Sequence, residues 1–431
     1  MTQQRITFEW RIGEAEYDRW ADGHLDPNAG ADAGLFSTRE QRLVNNMLRG
    51  LALLTVVVLA ATGISLSPRQ LEWDRAAAGI QRSLDRENRA WYSLDRDLFL
   101  ATVDPTIEDH WATEWRRHWR GEPGSRLEYG AELQQIESLG DGFMRVAVTA
   151  RQPATEWSDV EELHELRFYR ETEQGWVRTV PGLYADYWGE RRTLQTGNLH
   201  FIYFARDADT VRAAAPRVAA AMAEIHRLLD IDPPVGYEEF TVELQPDRMG
   251  RWAWDGNHVQ ITSPTFATVP AGLTPSENLT ESLVNRLAYR VFNSAEEPDG
   301  RFLFRWTVMN WGLRRWMITH LLDQPSPWHA QAVEIFRTES AGRFPLSPRE
   351  ISDNEQAGRP SREYVVWRFL AAETLIEYGV QTYGEQTIPA LFRGFTHFAS
   401  WEELTPAVYG VDLATFTAGW NEYLAEHYQL E

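Results

Sequence analysis

The chain has 431 residues, a formal net charge of -21 and no cysteine. A content of 43% hydrophobic and 12% aromatic residues supports packed cores, and the length suffices for about two or three domains. The negative charge excludes nucleic acid as an expected partner, because phosphate binding requires clustered positive charge. The lack of cysteine excludes disulfides, thiol nucleophiles and cysteine-bound metals.

The N-terminal part contains one long uncharged stretch. Residues 50–68 carry no charge and lie between Arg49 and Arg69. As a helix they would extend about 28 Å, close to the thickness of one hydrocarbon core. The sequence therefore predicts a transmembrane helix at 48–68 after a cytoplasmic tail at 1–47. A buried core helix and a cleaved signal peptide are the alternatives.

The orientation of this segment is predicted from its flanks. Arg49 borders the uncharged stretch directly, and the N-terminal flank is the less acidic one. Both features favour a cytoplasmic N-terminus. We therefore expect a single-pass protein of the cell membrane, in contact with the lipid bilayer through one helix, whose remaining residues are extracytoplasmic.

Residues 70–190 change from helical to strand patterns. Apolar residues at helical spacing, among them Ile80, Leu84 and Trp91, predict a first helix, and two more follow up to residue 120. Alternating patterns then predict four strands, at 126–137, 143–151, 160–170 and 176–180. This element order, with the closing strand GWVRTVP, resembles the ketosteroid-isomerase-like or nuclear-transport-factor-2-like cone. The resemblance implies an α+β domain over 70–190.

A second unit, at 197–431, has a small sheet followed by helices. The segment LHFIYF predicts a strand, 207–229 an alanine-rich helix, and EEFTVELQP and HVQITSP two further strands. Helices are predicted at 276–293, 302–322, 327–338, 361–383, 385–396, 400–408 and 412–427. The expected fold class is thus α+β: one transmembrane helix, then an α+β cone, then a mainly helical domain with a small N-terminal sheet.

The C-terminal helices carry the most specific motifs of this unit. They are Tyr383-Gly384-Glu385, Ser400 as the expected cap of a helix, Tyr409-Gly410-Val411, and Trp420 with Tyr423-Leu424. This pattern resembles the extracytoplasmic gluzincin-type, peptidase MA-like metallopeptidases. The resemblance implies that these residues pack helices, and that a zinc site should lie further upstream.

The expected zinc ligands are absent from the matching positions. The family binds zinc through His-Glu-x-x-His on one helix and a glutamate from a later helix. In the best register, Asn285, Arg286 and Tyr289 occupy the His, Glu and His positions, and Arg314 occupies that of the later glutamate. A second register, which keeps Glu281, also lacks both histidines. We therefore expect no metal, no cofactor and no catalytic residue here.

Binding without turnover is the function expected from this altered site. Asn285, Arg286, Tyr289 and Arg314 would line the former zinc cleft and hold a peptide or cell-envelope ligand. Arginines bind carboxylates and other anions through paired hydrogen bonds. The alternative for the two arginines is a structural ion pair, for instance with Glu281.

Two other classes of function stay open at this point. The chain could be an enzyme, with its active site in the cone pocket or at an unrecognised metal site. Separately, His110, Glu114 and His118 share one helix face that could hold a cation, and a solvated face is the alternative. The chain could also be a structural or assembly module of the cell envelope.

Overall fold

The computed structural model describes residues 68–107, 111–112, 130–151, 162–180, 185–232, 239–246, 253–255, 257–294, 303–322, 329–352 and 361–430. This part of the chain is α+β, with twelve α-helices and two five-stranded sheets. The helices are α1 (Pro68–Ser93), α2 (Arg96–Leu100), α3 (Ala185–Trp188), α4 (Ala208–Leu229), α5 (Pro275–Ser294), α6 (Leu303–Leu322), α7 (His329–Ser340), α8 (Pro348–Ser352), α9 (Arg362–Tyr383), α10 (Ile388–His397), α11 (Trp401–Tyr409) and α12 (Leu413–Tyr428). The strands are β1 (Gly130–Gly140), β2 (Phe143–Arg151), β3 (Glu162–Thr172), β4 (Gly175–Thr179), β5 (Arg191–Thr196), β6 (Leu199–Phe204), β7 (Phe240–Gln245), β8 (Ala253–Asp255), β9 (His258–Thr262) and β10 (Val269–Pro270).

The membrane prediction needs a correction. Among the residues that the structure describes, no helix is both long enough and apolar enough to cross a bilayer. The stretch 48–68 lies outside the described residues except for Pro68, which begins α1, and so does the tail 1–47. The helix α1 carries charged side chains along its whole length. We therefore withdraw the transmembrane helix, the single-pass membrane localisation with extracytoplasmic domains, and the bilayer contact that depends on them.

The first sheet is antiparallel and is built mainly from consecutive strands. Strands β1, β2 and β3 pair in sequence order, and β4 folds back on β3. The β1–β2 hairpin turns at Asp141 and Gly142, both with positive φ, between the predicted strands 126–137 and 143–151. The strand β10 also pairs with β3, through Val269 opposite His164. A segment of the predicted second domain thus joins the sheet of the first.

The helix α1 covers this sheet with its apolar side. Ile80 and Leu84 are fully buried and pack against sheet residues such as Val146 and Tyr169. Of the predicted third helix, at 106–120, the structure describes residues 106–107, which lie in a short 3-10 turn, and 111–112, where Trp111 is buried against Phe99. The candidate metal face with His110, Glu114 and His118 lies outside the described residues.

The second sheet is mixed and has the order β5-β6-β7-β9-β8. Its three central strands, β6, β7 and β9, run parallel, and β5 and β8 are antiparallel edges. Alternate residues of the central strands are buried, as the sequence pattern predicts. The helix α4 connects β6 to β7 and packs its alanine-rich face on this sheet, which gives the hydrophobic core of the second unit one of its layers.

The helices α5 to α12 form the rest of this core. Their bounds agree with the predicted ones to within a few residues, apart from the short α8, which the periodicity of the sequence does not predict. Trp306 of α6 and Trp367 of α9 are fully buried. In the C-terminal motifs, Gly410 ends α11 with positive φ, and Trp420 is buried with its indole donating to the Thr374 hydroxyl at 3.3 Å. Ser400 precedes α11, but its side chain makes no capping hydrogen bond.

The two sheets share one cluster of aromatic rings. Phe168 of β3 contacts the ring of Tyr187 on α3 and the ring of Phe266, which follows β9. Trp188 contacts the ring of Phe204 on β6. Side chains from both predicted domains, 70–190 and 197–431, therefore pack together at this point.

Candidate functional site: two arginines on neighbouring helices

The helix α5 presents three of the four predicted site residues. It begins after a reciprocal cap, in which the Thr274 amide donates to Glu277 Oε2 at 2.8 Å and the Glu277 amide donates to Thr274 Oγ1 at 3.3 Å. Leu283 and Leu287 are fully buried and fix the face that packs on the core. Asn285, Arg286 and Tyr289 therefore lie on the more exposed side of the helix.

Tyr289 and Arg314 are brought together across α5 and α6. The guanidinium carbon of Arg314 lies 5.1 Å from the centroid of the Tyr289 ring, a cation–π contact. The tyrosine is 45% exposed and the arginine is half-buried, so the pair borders solvent. Burial lowers the pKa of Arg314, and the phenol of Tyr289 opposes this shift.

Arg286 lies one helical turn before Tyr289. Its Nη1 donates to the Ser282 carbonyl at 3.2 Å and to the Ser282 hydroxyl, while its Nε is buried without a hydrogen-bond partner. Burial lowers the pKa of Arg286 to about 10, so the side chain stays cationic at neutral pH. Among the described residues, no carboxylate forms an ion pair with Arg286 or with Arg314.

Asn285 is not part of the contact between Tyr289 and Arg314. It is half-buried one turn before Tyr289, and the structure shows no contact between its amide and Arg314. Of the four predicted residues, the structure thus places Tyr289 and Arg314 in contact and Arg286 beside Tyr289 on the same helix. The membership of all four in one binding site stays a prediction.

A buried ion pair behind the site was not predicted. Arg315 Nε of α6 lies 3.5 Å from Oε2 of Glu373 on α9, and Glu373 is 5% exposed. The charge of Glu281 on α5 also acts on Arg315. The available sequence signal was an acidic residue inside the apolar run AAETLIEYG, which is unusual unless the charge is paired or neutralised.

The helices α5 and α6 carry more positive than negative charge. The helices α5 and α6 together contain five arginines and two glutamates, in a chain whose net charge is -21. A positive region of this kind attracts anions.

The side chains at the four positions that match the family's zinc site do not suit a zinc ion. Asn285 and Tyr289 offer a neutral amide and a phenol, and Arg314 places a cation above the phenol ring. Within the described ranges, no three His, Cys, Asp or Glu side chains are grouped so that they could hold a metal ion. No catalytic step through a metal is derived for this site.

The first sheet contains a second group of buried charges. Glu87 of α1 accepts hydrogen bonds from Arg178 Nη1 at 2.6 Å and from Arg167 Nη1 at 3.1 Å, and Glu165 also pairs with Arg167. Burial raises the pKa of the neighbouring Tyr169, whose ring is fully buried. This network of two glutamates and two arginines ties α1 to β3 and β4.

Comparisons with known proteins do not assign this chain to a family. No protein-family model matches the chain, and no curated protein sequence matches it significantly. The resemblances to the gluzincin-type peptidases and to the cone fold therefore rest on the residues named above.

Proposed function

We propose that this chain is a binding protein in which Arg286 and Arg314 hold a carboxylate group, such as the C-terminus of a peptide. In this proposal, residues 197–431 form a metallopeptidase-like scaffold that has exchanged its zinc ligands for an anion site. Binding replaces turnover, because the side chains present suit an anion and do not suit a metal.

The observation that carries this proposal is a pair of half-buried guanidinium groups with no acidic partner among the described residues. A cation withdrawn from water is costly unless a counter-charge compensates it. A bound carboxylate would supply that charge, and its two oxygens match the planar donors of arginine.

The exposure of Tyr289 supports access from solvent. Its ring is 45% exposed and carries the Arg314 guanidinium on its face, which holds that side chain in one orientation. An arginine held against a ring loses less side-chain entropy when it binds a ligand. The ring also offers apolar area to the part of the ligand next to its carboxylate.

The alternative of a structural ion pair with Glu281 is less well supported for these two arginines. Glu281 acts on Arg315, which also faces Glu373. Burial is the cause of the lowered pKa of Arg286, and no acid opposes it. Arg315 thus fills the structural role, and Arg286 and Arg314 remain available to a ligand.

A titration with a model peptide tests the proposal. N-acetyl-Ala-Phe with a free carboxylate would be titrated into the full-length chain and its affinity measured by calorimetry or NMR. We expect Arg314→Gln and Arg286→Gln each to weaken binding by about tenfold or more, the usual cost of losing a charge-assisted hydrogen bond.

The matched control is Arg217→Gln, an exposed arginine on α4 that lies outside the site. It should leave the affinity unchanged. Equal affinities for all three variants, or no binding of the peptide to the unmodified chain, would contradict the proposed function.

A further inference from the structure

The pair Arg315–Glu373 lies directly behind the proposed anion site. Two layers of contacts join α6 to α9: the ring of Trp311 is 4.0 Å from the ring of Phe369, and one turn further Arg315 faces Glu373. Arg315 follows Arg314 in sequence, and the charge of Arg314 lowers the pKa of Arg315. A change in the charge of Glu373 therefore alters the electrostatic potential at the anion site through one intervening residue, Arg315.

The surroundings of Glu373 disfavour its ionised form. Its Oε2 is buried without a hydrogen-bond partner, 3.5 Å from Arg315 Nε, and its Oε1 accepts a long hydrogen bond of 3.4 Å from the Thr319 hydroxyl. A buried carboxylate with so few donors gains little to offset its loss of hydration.

The charged and titratable groups around Glu373 come from three helices. Arg315 faces Glu373 from α6, and Glu377 lies one turn later on α9. The hydroxyl of Tyr428 on α12 donates to Glu377 Oε2 at 3.1 Å, and the charge of Glu373 helps to raise the pKa of this tyrosine. Burial and, to a smaller extent, the charge of Glu377 raise the pKa of the Glu373 carboxyl to about 7 against the opposing charge of Arg315. Glu373 can therefore gain or lose a proton near neutral pH.

We propose that Glu373 and Arg315 form a proton-dependent switch for the anion site: protonation of Glu373 removes one of the two negative charges that act on Arg315, the other being Glu281, and the stronger positive field of Arg315 then favours anion binding at Arg314 and Arg286. This inference rests on the proposed function, since it concerns the affinity of the same site. By linkage, a bound carboxylate favours the protonated form of Glu373, so binding takes up a proton.

The affinity for N-acetyl-Ala-Phe, measured at pH 6 and pH 8, tests the switch. The free carboxylate of this peptide is ionised at both values, so a change in affinity reports on the protein. We expect binding to be about three- to tenfold tighter at pH 6, as for the removal of one partly screened charge near the ligand. Glu373→Gln should bind as tightly at pH 8 as the unmodified chain does at pH 6.

The matched control is Glu363→Gln, an exposed glutamate at the start of the same helix, which should keep the pH dependence. Calorimetry at pH 7 in two buffers of different ionisation enthalpy measures the proton uptake directly and needs no variant. The switch is wrong if binding is the same at both pH values, if no proton is taken up, or if Glu373→Gln keeps the full pH dependence. Failure of the proposed function gives a different result, in which the peptide does not bind or binds independently of Arg314.

Discussion

Arg314 and Arg315 are neighbours in the sequence with different surroundings. Arg315 faces Glu373 on α9 and senses Glu281 on α5, whereas Arg314 lies over the exposed ring of Tyr289. The helical rotation of about 100° per residue turns one guanidinium toward the core and the other toward solvent. The division between a structural and a ligand-binding arginine therefore follows from their positions on α6.

The stability of the fold should depend on pH through Glu373. Its pKa is raised from 4.5 to about 7 by burial, so between these values the folded chain holds a proton that the unfolded chain has released. Stability from this group is present below pH 4.5 and is lost as the pH rises toward 7. We expect the free energy of unfolding of Glu373→Gln, measured with urea, to rise relative to that of the unmodified chain as the pH increases. The difference should grow by about 2 to 3 kcal/mol from pH 5 to pH 8.

An exposed glutamate of the same helix gives the comparison for this measurement. Glu363→Gln should follow the unmodified chain across the whole range. A constant difference between Glu373→Gln and the unmodified chain at every pH would show that Glu373 does not take up a proton on folding.

At the residue scale, the sequence predicted part of the site. The register taken from the family resemblance assigns Tyr289 and Arg314 to one site, and the structure shows these two residues in contact. The role of Arg315 could not be predicted in this way, because its partner Glu373 lies on a helix far along the chain. The choice between Glu281 and Glu373 as partners depends on helix packing, which the local pattern does not contain.

At the scale of elements, the close approach of α6 and α9 positions the switch and the site. Gly312 lies in α6 where a Cβ atom would come within 2.7 Å of the Cβ of Ala372 and 2.9 Å of its carbonyl carbon. Contacts below 3.0 Å with backbone atoms require the helices to move apart. The absence of a side chain at Gly312 thus sets the separation across which Arg315 and Glu373 interact.

The substitution Gly312→Ala tests this approach. We expect a loss of about 1 to 3 kcal/mol in the free energy of unfolding, since the strain exceeds the gain in helix propensity. Gly342→Ala is the control, because a Cβ there meets no atom within 4 Å. The two substitutions would have the same effect in thermal or urea unfolding if the helices did not pack closely at Gly312.

Elements with long periodic patterns were predictable from the sequence, and short ones were not. The alternation in Phe143–Arg151 and the turn at Gly142 gave a hairpin that the structure contains. The strand β10 has only two residues and no pattern of its own, and it exists because β3 leaves an edge for it to pair with. The uncharged stretch at 48–68 led to a membrane prediction that the described helices do not support.

At the scale of the whole molecule, residues 74–431 group as one compact unit. The pairing of Val269 with His164 and the aromatic contacts around Phe168 join the two sheets. The strand β10 also shortly precedes α5, which carries Arg286 and Tyr289. Contacts between residues so distant in sequence arise from tertiary packing, which local sequence patterns do not contain.

The helices α5 and α6 should not bind zinc stoichiometrically. We expect well below one zinc ion per chain after incubation with excess zinc and desalting, measured by elemental analysis, and no cleavage of casein. The reason is the positive charge and the lack of ligands at Asn285, Tyr289 and Arg314. A full equivalent of zinc that is lost on substitution of residues in α5 or α6 would contradict this expectation.

The most direct measurement follows the side-chain Nε–Hε signals of Arg286 and Arg314 by NMR during titration with N-acetyl-Ala-Phe and, separately, with its C-terminal amide. The free acid should shift both signals with a common dissociation constant, and the amide should leave them in place, because only the acid offers a charged pair of oxygens to the guanidinium groups. Signals that respond equally to acid and amide, or that respond to neither, would show that these two arginines do not form a carboxylate-binding site.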